Sequence, residues 1–351
     1  MNRSPDIEQV LDRLSYPALI VEEGTVTYAN TQAQQLFITV GSPIDALIAI
    51  GSEEYAQYSG GALCLTLSAA GIYYSTTVIR SEDYDIFYLE SEASSPEMKA
   101  FALAAQYLRE SLSGALQCAD LLRADASEEA HTKLDRLNKN LHQLHRTICN
   151  MSDVGDFEAP RPTMTRLNDA TALFAQLLEK AAALVAESGR TLRYTLPNEC
   201  ISTMLDTEKV ERAVYNLISN ALKYEPAGET ICASVHRRGN KVLFSVENCK
   251  SGISYGNIFS RFQRQAGLER TYSGIGLGLT IARKAAAAHN GTLLLDQTQD
   301  GHPRFTISLS IQTPQGSDVR SPIRLPVDYA GGYDHALVEL SDVLPPELYK
   351  S

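Results

Sequence analysis

Alternating glycines in the last third of the chain have a spacing that suits phosphate binding. Gly274, Gly276 and Gly278 stand directly before a helical stretch. Glycines let backbone N–H groups approach a ligand closely, and a helix N-terminus adds a partial positive charge. The segment therefore predicts a phosphate cradle. A dinucleotide-binding loop is the competing interpretation, but that fingerprint is GxGxxG directly after a strand, and here GxGxG follows a polar segment.

A second polar group lies on a predicted helix upstream of the glycines. Asn216 and Asn220 are four residues apart and so share one helix face, and Lys223 adds a cation further along. Buried or half-buried amides need partners, which a hydrated Mg²⁺ ion and phosphate oxygens would supply. Taken alone, a pair of asparagines on a helix is more often capping or surface chemistry.

A third polar group closes a predicted strand. The Asn248 amide can donate to and accept from an adenine edge, and Gly252 permits the close approach of a flat base. Taken alone, this segment is better explained as an ordinary strand-to-loop turn.

The elements that must position these groups form an α/β region over residues 163–312. Helices are predicted at Leu167–Glu187, Thr207–Leu222 and Gly278–His289. Strands are predicted at Thr191–Leu196, Thr230–Arg237, Lys241–Glu247, Thr292–Asp296 and Arg304–Ser310.

Residues 97–156 carry a heptad pattern interrupted near 125–129. Apolar residues alternate in steps of four and three, at Phe101, Ala105, Leu108, Leu112, Ala115, Ala119 and Leu122, and again at Leu134, Leu137, Leu141, Leu144, Ile148 and Met151. The pattern predicts an antiparallel helical hairpin that forms a four-helix bundle with a second copy. The alternative is a hairpin packed only against the chain's own domains.

The two ends of the chain differ in character. Residues 1–92 predict an α+β domain with an antiparallel sheet: strands at Ala18–Val21, Thr25–Ala29, Ala62–Leu67, Ile72–Ile79 and Ile86–Leu89, and a helix at Thr31–Phe37. Residues 313–351 are rich in Pro and Gly and predict a tail that is extended, is partly disordered or lies across another surface, with one short helix at Asp334–Leu340.

Composition narrows the class of protein. The chain has 351 residues and a formal net charge of −11, which disfavours nucleic acids and anionic membranes as partners. No signal segment or long apolar run is evident, so we expect neither secretion nor membrane insertion. The six cysteines have no metal-ligand spacing and are expected to be reduced and buried, as in a cytoplasmic protein.

The ordered motifs resemble those of the sensor histidine kinases. Asn216–Tyr224 resembles the N box, Asn248–Ile253 the G1 box, Ile258–Phe262 the F box and Gly274–Leu279 the G2 box. The resemblance implies an α+β multidomain fold with a PAS-like domain, a two-helix dimerisation segment and an α/β-sandwich ATPase domain. It also implies ATP and Mg²⁺ as cofactors: Asn220 would bind Mg²⁺, Tyr224 would flank the base beside Asn248, and Asn216, Lys223 and the G2 glycines would hold the phosphates.

Three departures from the family pattern bear on activity. Asn248 stands where most members have Asp, and Lys250 replaces a usual Gly. Gln106 stands at the phosphoacceptor histidine, and an amide nitrogen is no acceptor because its lone pair is delocalised. His142 and His145, on the second helix, are interpreted as part of a solvated bundle surface.

Three hypotheses follow from these departures. In the first, the chain is a cytoplasmic, homodimeric signalling protein that binds Mg-ATP and has lost autophosphorylation. In the second, it is an active kinase of a two-component system that uses another acceptor, with a response regulator or another signalling protein as partner. In the third, it is a non-enzymatic interaction scaffold.

Overall fold

The computed structural model describes residues 5–91, 96–124, 126–155, 165–224, 230–247, 277–313, 330 and 332–350. Within those ranges, no helix combines the length and the apolar composition that crossing a membrane requires.

The N-terminal segment is an antiparallel sheet with three short helices. The helices are α1 (Pro5–Asp12), α2 (Thr31–Gln34) and α3 (Ser52–Gln57). The strands are β1 (Ala18–Glu22), β2 (Thr25–Ala29), β3 (Ile48–Ile50), β4 (Ala62–Ala69), β5 (Ile72–Arg80) and β6 (Asp85–Ser91). All five predicted strands are present, and β3 is an addition. Helix α2 is shorter than predicted because Phe37 has a positive φ of 59°, which ends helical geometry.

Two long helices follow, α4 (Pro96–Ala124) and α5 (Glu128–Gly155), which pack side by side as the heptads predict. The a and d positions of the heptads differ in burial. On α4, the a positions Ala105, Leu112 and Ala119 are buried, whereas the d positions Leu108 and Leu122 are exposed. On α5, the d positions Leu137 and Leu144 are likewise exposed. The hairpin therefore buries one half of its apolar seam and leaves the other half uncovered.

The C-terminal region contains β7 (Arg166–Asp169), α6 (Ala170–Glu187), β8 (Thr191–Thr195), β9 (Ser202–Leu205), α7 (Thr207–Tyr224), β10 (Thr230–Arg238), β11 (Lys241–Glu247), α8 (Gly278–Ala288), β12 (Leu293–Gln297) and β13 (Pro303–Ser310). The helix predicted from Leu167 begins instead at Ala170. The Asp169 carboxylate caps α6 by accepting from the Thr171 N–H at 2.9 Å, and residues 166–169 pair with the unpredicted β9.

A single mixed sheet runs through both regions. Its order is β2-β1-β6-β5-β4-β12-β13-β11-β10-β8, with β3 paired beside β4. The junction is the antiparallel pair β4–β12, in which Ala62 lies opposite Leu295. An ion pair between Arg283 and Glu90, with Nη1 and Oε2 3.1 Å apart, reinforces the junction.

The described cysteines are all free thiols, but only some fit the prediction of burial. Cys64 and Cys149 are buried, whereas Cys118, Cys200 and Cys232 are exposed, so the expectation that all are buried was wrong. Cys118 lies on α4 and Cys232 on β10, whereas Cys200 lies in the loop before β9.

In the C-terminal tail, residues 330 and 332–350 lie across other elements. It contains the short helix α9 (His335–Glu339), one residue shorter at each end than the predicted Asp334–Leu340. The Asp334 carboxylate caps α9 by accepting from the Ala336 and Leu337 N–H groups.

The sheet junction yields a stability prediction. A Cβ added at Gly61, whose φ is +89°, would stand 2.1 Å from the Leu295 carbonyl oxygen. We expect Gly61→Ala to lower the free energy of unfolding by about 2–4 kcal/mol, because backbone strain adds to overpacking at the β4–β12 pair. Urea unfolding followed by circular dichroism measures this.

Gly71→Ala is the matched control for that variant. Gly71 also has a positive φ, +76°, but has nothing within 4 Å of the added Cβ. We expect it to cost only about 1 kcal/mol, the strain of the backbone alone. Equal losses for the two variants would show that the junction is not closely packed at Gly61.

Candidate functional site

Helix α7 presents a polar stripe on a largely buried helix. The Asp206 carboxylate caps α7 by accepting from the Lys209 N–H at 3.2 Å. Leu217, Ile218 and Ala221 are fully buried toward the core, as predicted. The polar residues follow at helical spacing, and they are Arg212, Asn216, Ser219, Asn220 and Lys223.

The start of α8 packs directly against this stripe. A Cβ added at Gly278 would lie 2.9 Å from Asn216 Oδ1 and 3.7 Å from Asn220 Nδ2. Any larger residue would therefore push the helix start away from the two amides. The last glycine of the GxGxG motif and the asparagine pair, recognised separately in the sequence, form one cradle.

Asn216 is fully buried and forms hydrogen bonds with Arg146, Arg212 and Glu339. Its Oδ1 accepts from Arg146 Nη2 at 2.9 Å. Its Nδ2 donates to the Arg212 carbonyl at 2.8 Å and to Glu339 Oε2 at 3.0 Å. Asn220 is half-buried.

Glu339 of the tail is the centre of a buried ion cluster. Its side chain is 0% exposed and lies between two guanidinium groups. Oε2 accepts from Arg146 Nε at 3.2 Å, and Oε1 accepts from Arg212 Nε at 3.1 Å. Arg146 belongs to α5 and Arg212 to α7, so one carboxylate joins three separate elements.

Asp342 brings a second tail carboxylate to the same place. Its Oδ2 accepts from Lys223 Nζ at 2.5 Å and from Arg146 Nη1 at 2.9 Å. Burial lowers the pKa of Lys223, and the neighbouring Arg146 lowers it further, while Asp342 acts in the opposite direction. We call Arg146, Arg212, Lys223, Glu339 and Asp342 the tail cluster.

Apolar and backbone contacts hold the rest of the tail. Leu340, Leu344 and Tyr349 are buried and belong to the core around α6 and α7. Two polar side chains of α5 bind tail carbonyls: Gln143 Nε2 donates to Ser341 O at 3.2 Å and Asn138 Nδ2 to Tyr349 O at 3.3 Å. The tail is thus packed along its length and is not held by charge alone.

The two α5 histidines do not lie on a solvated surface, so that interpretation was wrong. His142 and His145 are 6% and 4% exposed, and the ring of Tyr333 in the tail contacts both. His142 Nδ1 lies 2.9 Å from the Asn138 carbonyl, and burial lowers the pKa of this histidine. The tail covers the face that the hairpin alone would expose. Gln106, by contrast, is exposed on α4.

Several predicted site residues lie outside the described residues. These are Asn248, Gly252, Gly274 and Gly276, together with the whole segment 258–262 that resembles the F box. For Tyr224, the structure describes its place at the end of α7 but not its side chain.

The sequence analysis missed four members of the site. Arg212 could have been found, because it precedes Asn216 by one helical turn on the same polar stripe. Glu339 and Asp342 are acids three residues apart within the apolar part of the tail, a weaker signal. For Arg146, nothing in the local sequence indicated a contact with α7.

Comparisons with known proteins fit this architecture. Residues 205–313 match the family of histidine kinase-, DNA gyrase B- and HSP90-like ATPases. The adaptive-response sensory kinase SasA of Synechococcus elongatus is 28% identical over 214 residues, which are 56% of this chain and 54% of the relative. The alginate biosynthesis sensor protein KinB of Pseudomonas aeruginosa is 27% identical over 220 residues, or 60% and 36%.

Other relatives are longer still. The hybrid signal transduction histidine kinase D of Dictyostelium discoideum is 26% identical over 60% of this chain but only 14% of its own length. Among solved structures, full-length ShkA in complex with AMPPNP has a TM-score of 0.49 and 22% identity, covering 64% of this chain and 47% of that one. The chain therefore spans about half or less of the length of these relatives.

Proposed function

The chain is a member of the sensor histidine kinase family through its ATPase domain, and on that premise we propose that it binds Mg-ATP and signals without phosphorylating itself. The contact that supports nucleotide binding most directly is the cradle of Gly278 against Asn216 and Asn220. It brings together the two motifs that the family resemblance assigns to phosphate and metal.

The residues present fit a magnesium nucleotide. The half-buried Asn220 amide stands beside the glycine at the start of α8, and an amide oxygen is a suitable Mg²⁺ ligand. Asn216, Lys223 and the glycines 274, 276 and 278 would hold phosphate oxygens. Tyr224, Asn248 and Gly252 would contact the base. Bound Mg²⁺ would neutralise phosphate charge, and the helix start at Gly278 would add its partial positive charge.

Loss of autophosphorylation rests on the acceptor position. Gln106 occupies the place of the family's histidine on the exposed face of α4. Its amide cannot accept a phosphoryl group. The alternative acceptors His142 and His145 lie beneath the tail, which excludes them from reaction as long as the tail is packed there.

A second copy of the chain is the proposed partner of the hairpin. The uncovered d positions of α4 and α5 form an apolar seam of the kind that a four-helix bundle buries. Residues 1–92 would act as the PAS-like sensor, and a response regulator or another signalling protein would receive the signal. Free thiols, three of them exposed, fit a reducing compartment such as the cytoplasm.

Two other functions remain in competition with this proposal. An active kinase would require an acceptor other than Gln106. A scaffold that binds no nucleotide would use the tail as a structural element, and the packing of the tail against α5 and α7 is the observation that favours it.

We predict that the purified protein binds Mg-ATP and that Asn220→Ala weakens binding at least about tenfold, the effect of losing roughly 1.4 kcal/mol of interaction free energy. Isothermal titration calorimetry measures this. Asn198→Ala, at an exposed position of the same region, is the control and is expected to leave the affinity unchanged. Absence of binding at millimolar nucleotide, in the native chain and in a Glu339→Gln variant with a weakened tail contact, would contradict the proposal.

Incubation with γ-labelled ATP is expected to leave no acid-labile, base-stable label on the chain, because Gln106 is not an acceptor. Asn220→Ala gives the background of the assay. Label that appears in the native chain and disappears in His142→Gln or His145→Gln would establish the active-kinase alternative.

Size-exclusion chromatography with light scattering is expected to give a mass twice that of one chain. Leu122→Glu, at a d position that is 61% exposed, should produce monomers because it places charge in the seam. Leu121→Glu is the matched control, since Leu121 is 74% exposed but lies off the seam. A monomeric native chain, or dissociation by both variants alike, would argue against the bundle.

A further inference from the structure

The tail cluster places negative charge on the residues that the proposed function assigns to phosphate. Glu339 Oε2 accepts from Asn216 Nδ2 at 3.0 Å, and Asp342 Oδ2 accepts from Lys223 Nζ at 2.5 Å. Carboxylate and phosphate oxygens are both anionic acceptors, and they satisfy amide and ammonium donors in the same way. Glu339 and Asp342 therefore accept hydrogen bonds from the same donors that a triphosphate would need.

Electrostatic repulsion disfavours simultaneous binding of the tail carboxylates and a triphosphate in the tail cluster. Three cations, Arg146, Arg212 and Lys223, face the two carboxylates of the tail inside a region that excludes solvent. A triphosphate entering beside the docked carboxylates would bring further negative charge into a poorly screened environment, where like charges repel strongly. The same donors would also have to serve two acceptors at once.

The tail is built to occupy this position. Its capped helix α9 sets Glu339 at the end of one turn, and Leu340 and Leu344 anchor the chain on either side of Asp342 in the core. The carboxylates are thus held by packing as well as by charge. The Glu339 side chain is 0% exposed, and a buried carboxylate is stable only when it is paired. Its burial therefore requires the ion pairs of this one docked position.

We infer that residues 334–349 are an internal competitor of the nucleotide: the docked tail closes the phosphate side of the site, and Mg-ATP binds only when Glu339 and Asp342 have left it. This inference rests on the proposed function of nucleotide binding. Release of the tail also breaks the ion pairs of Arg146 on α5 and Arg212 on α7 with Glu339. The direct hydrogen bonds between these helices, from Arg146 to Asn216 and from Arg212 to Asn150, do not involve the tail.

The apparent affinity of such a site is the intrinsic affinity multiplied by the fraction of molecules with the tail released. Variants that undock the tail should therefore bind nucleotide more tightly. The experiment titrates Mg-ATP, and separately Mg-triphosphate as a probe without a base, into the full chain and its variants. Hydrogen exchange at the backbone amides of α9 reports tail docking in the same samples, with and without nucleotide.

Two kinds of variant remove the tail by different means. Glu339→Gln and Asp342→Asn neutralise the carboxylates at nearly constant shape, whereas Leu344→Asp removes an apolar anchor and leaves both carboxylates in the chain. Glu347→Gln removes the same charge from an exposed position of the tail and is the control. Circular dichroism verifies that each variant is folded.

We expect the undocking variants to bind both probes at least about tenfold more tightly than the native chain, and Glu347→Gln to bind like it. Saturating Mg-ATP should speed exchange of the α9 amides in the native chain. Binding by the undocked variants together with none by the native chain would also support the inference.

Three results would overturn it. The first is native affinity in variants whose tail amides exchange freely, and the second is full protection of the tail at saturating nucleotide. Either result would leave nucleotide binding intact. The third is unchanged protection in Glu339→Gln and Asp342→Asn, which would show that the carboxylates do not hold the tail. No binding of Mg-ATP by chains with a released tail would instead refute the proposed function, and the competition with it.

Discussion

The arrangement of the C-terminal half depends on one buried carboxylate. Glu339 receives hydrogen bonds from Arg146 on α5, Arg212 on α7 and Asn216 on α7, and it is fully enclosed. Removing two cations and a carboxylate from water is costly, and the attraction between them offsets that cost only when geometry is good and every donor is used. The interaction is therefore better understood as a device that selects one packing of three elements than as a large source of stability.

The docking of the tail through Glu339 also explains why α5 has a buried polar face. The tail covers His142 and His145, so α5 has a buried polar face that its own heptads do not explain. Its apolar d positions point elsewhere, toward the seam proposed for a second copy. One helix thus has two faces with different partners, and Arg146 lies on the face that belongs to the tail. Arg146 contacts Asn216 and Ser219 of α7 as well as Glu339 of the tail, so α5, α7 and the tail meet at one side chain.

The sequence predicted local features well and long-range ones poorly. Heptads located α4 and α5, alternation located β10 and β11, and the spacing of Asn216 and Asn220 placed both on one face of α7, because these signals are periodic within a few residues. The ion pair of Arg146 with Glu339 joins residues 193 positions apart, and the β4–β12 pair joins strands of two predicted domains. Such contacts depend on how whole elements pack, which no local pattern encodes. The short β9 was missed for a related reason: it is stabilised by its pairing with β7 and not by its own composition.

The proposed loss of the acceptor is compatible with the docked tail. If Gln106 removes autophosphorylation as proposed, the His142 and His145 rings need not be accessible to nucleotide. The tail cluster can then join α5 to α7 through Glu339 without interfering with a phosphoryl transfer. By linkage, any ligand that favours release of the tail must be disfavoured by docking to the same extent. Under the proposed competition, a nucleotide that meets this condition would expose His142, His145 and the apolar face of α9 without transferring a phosphate, and a second protein could recognise the surfaces so exposed.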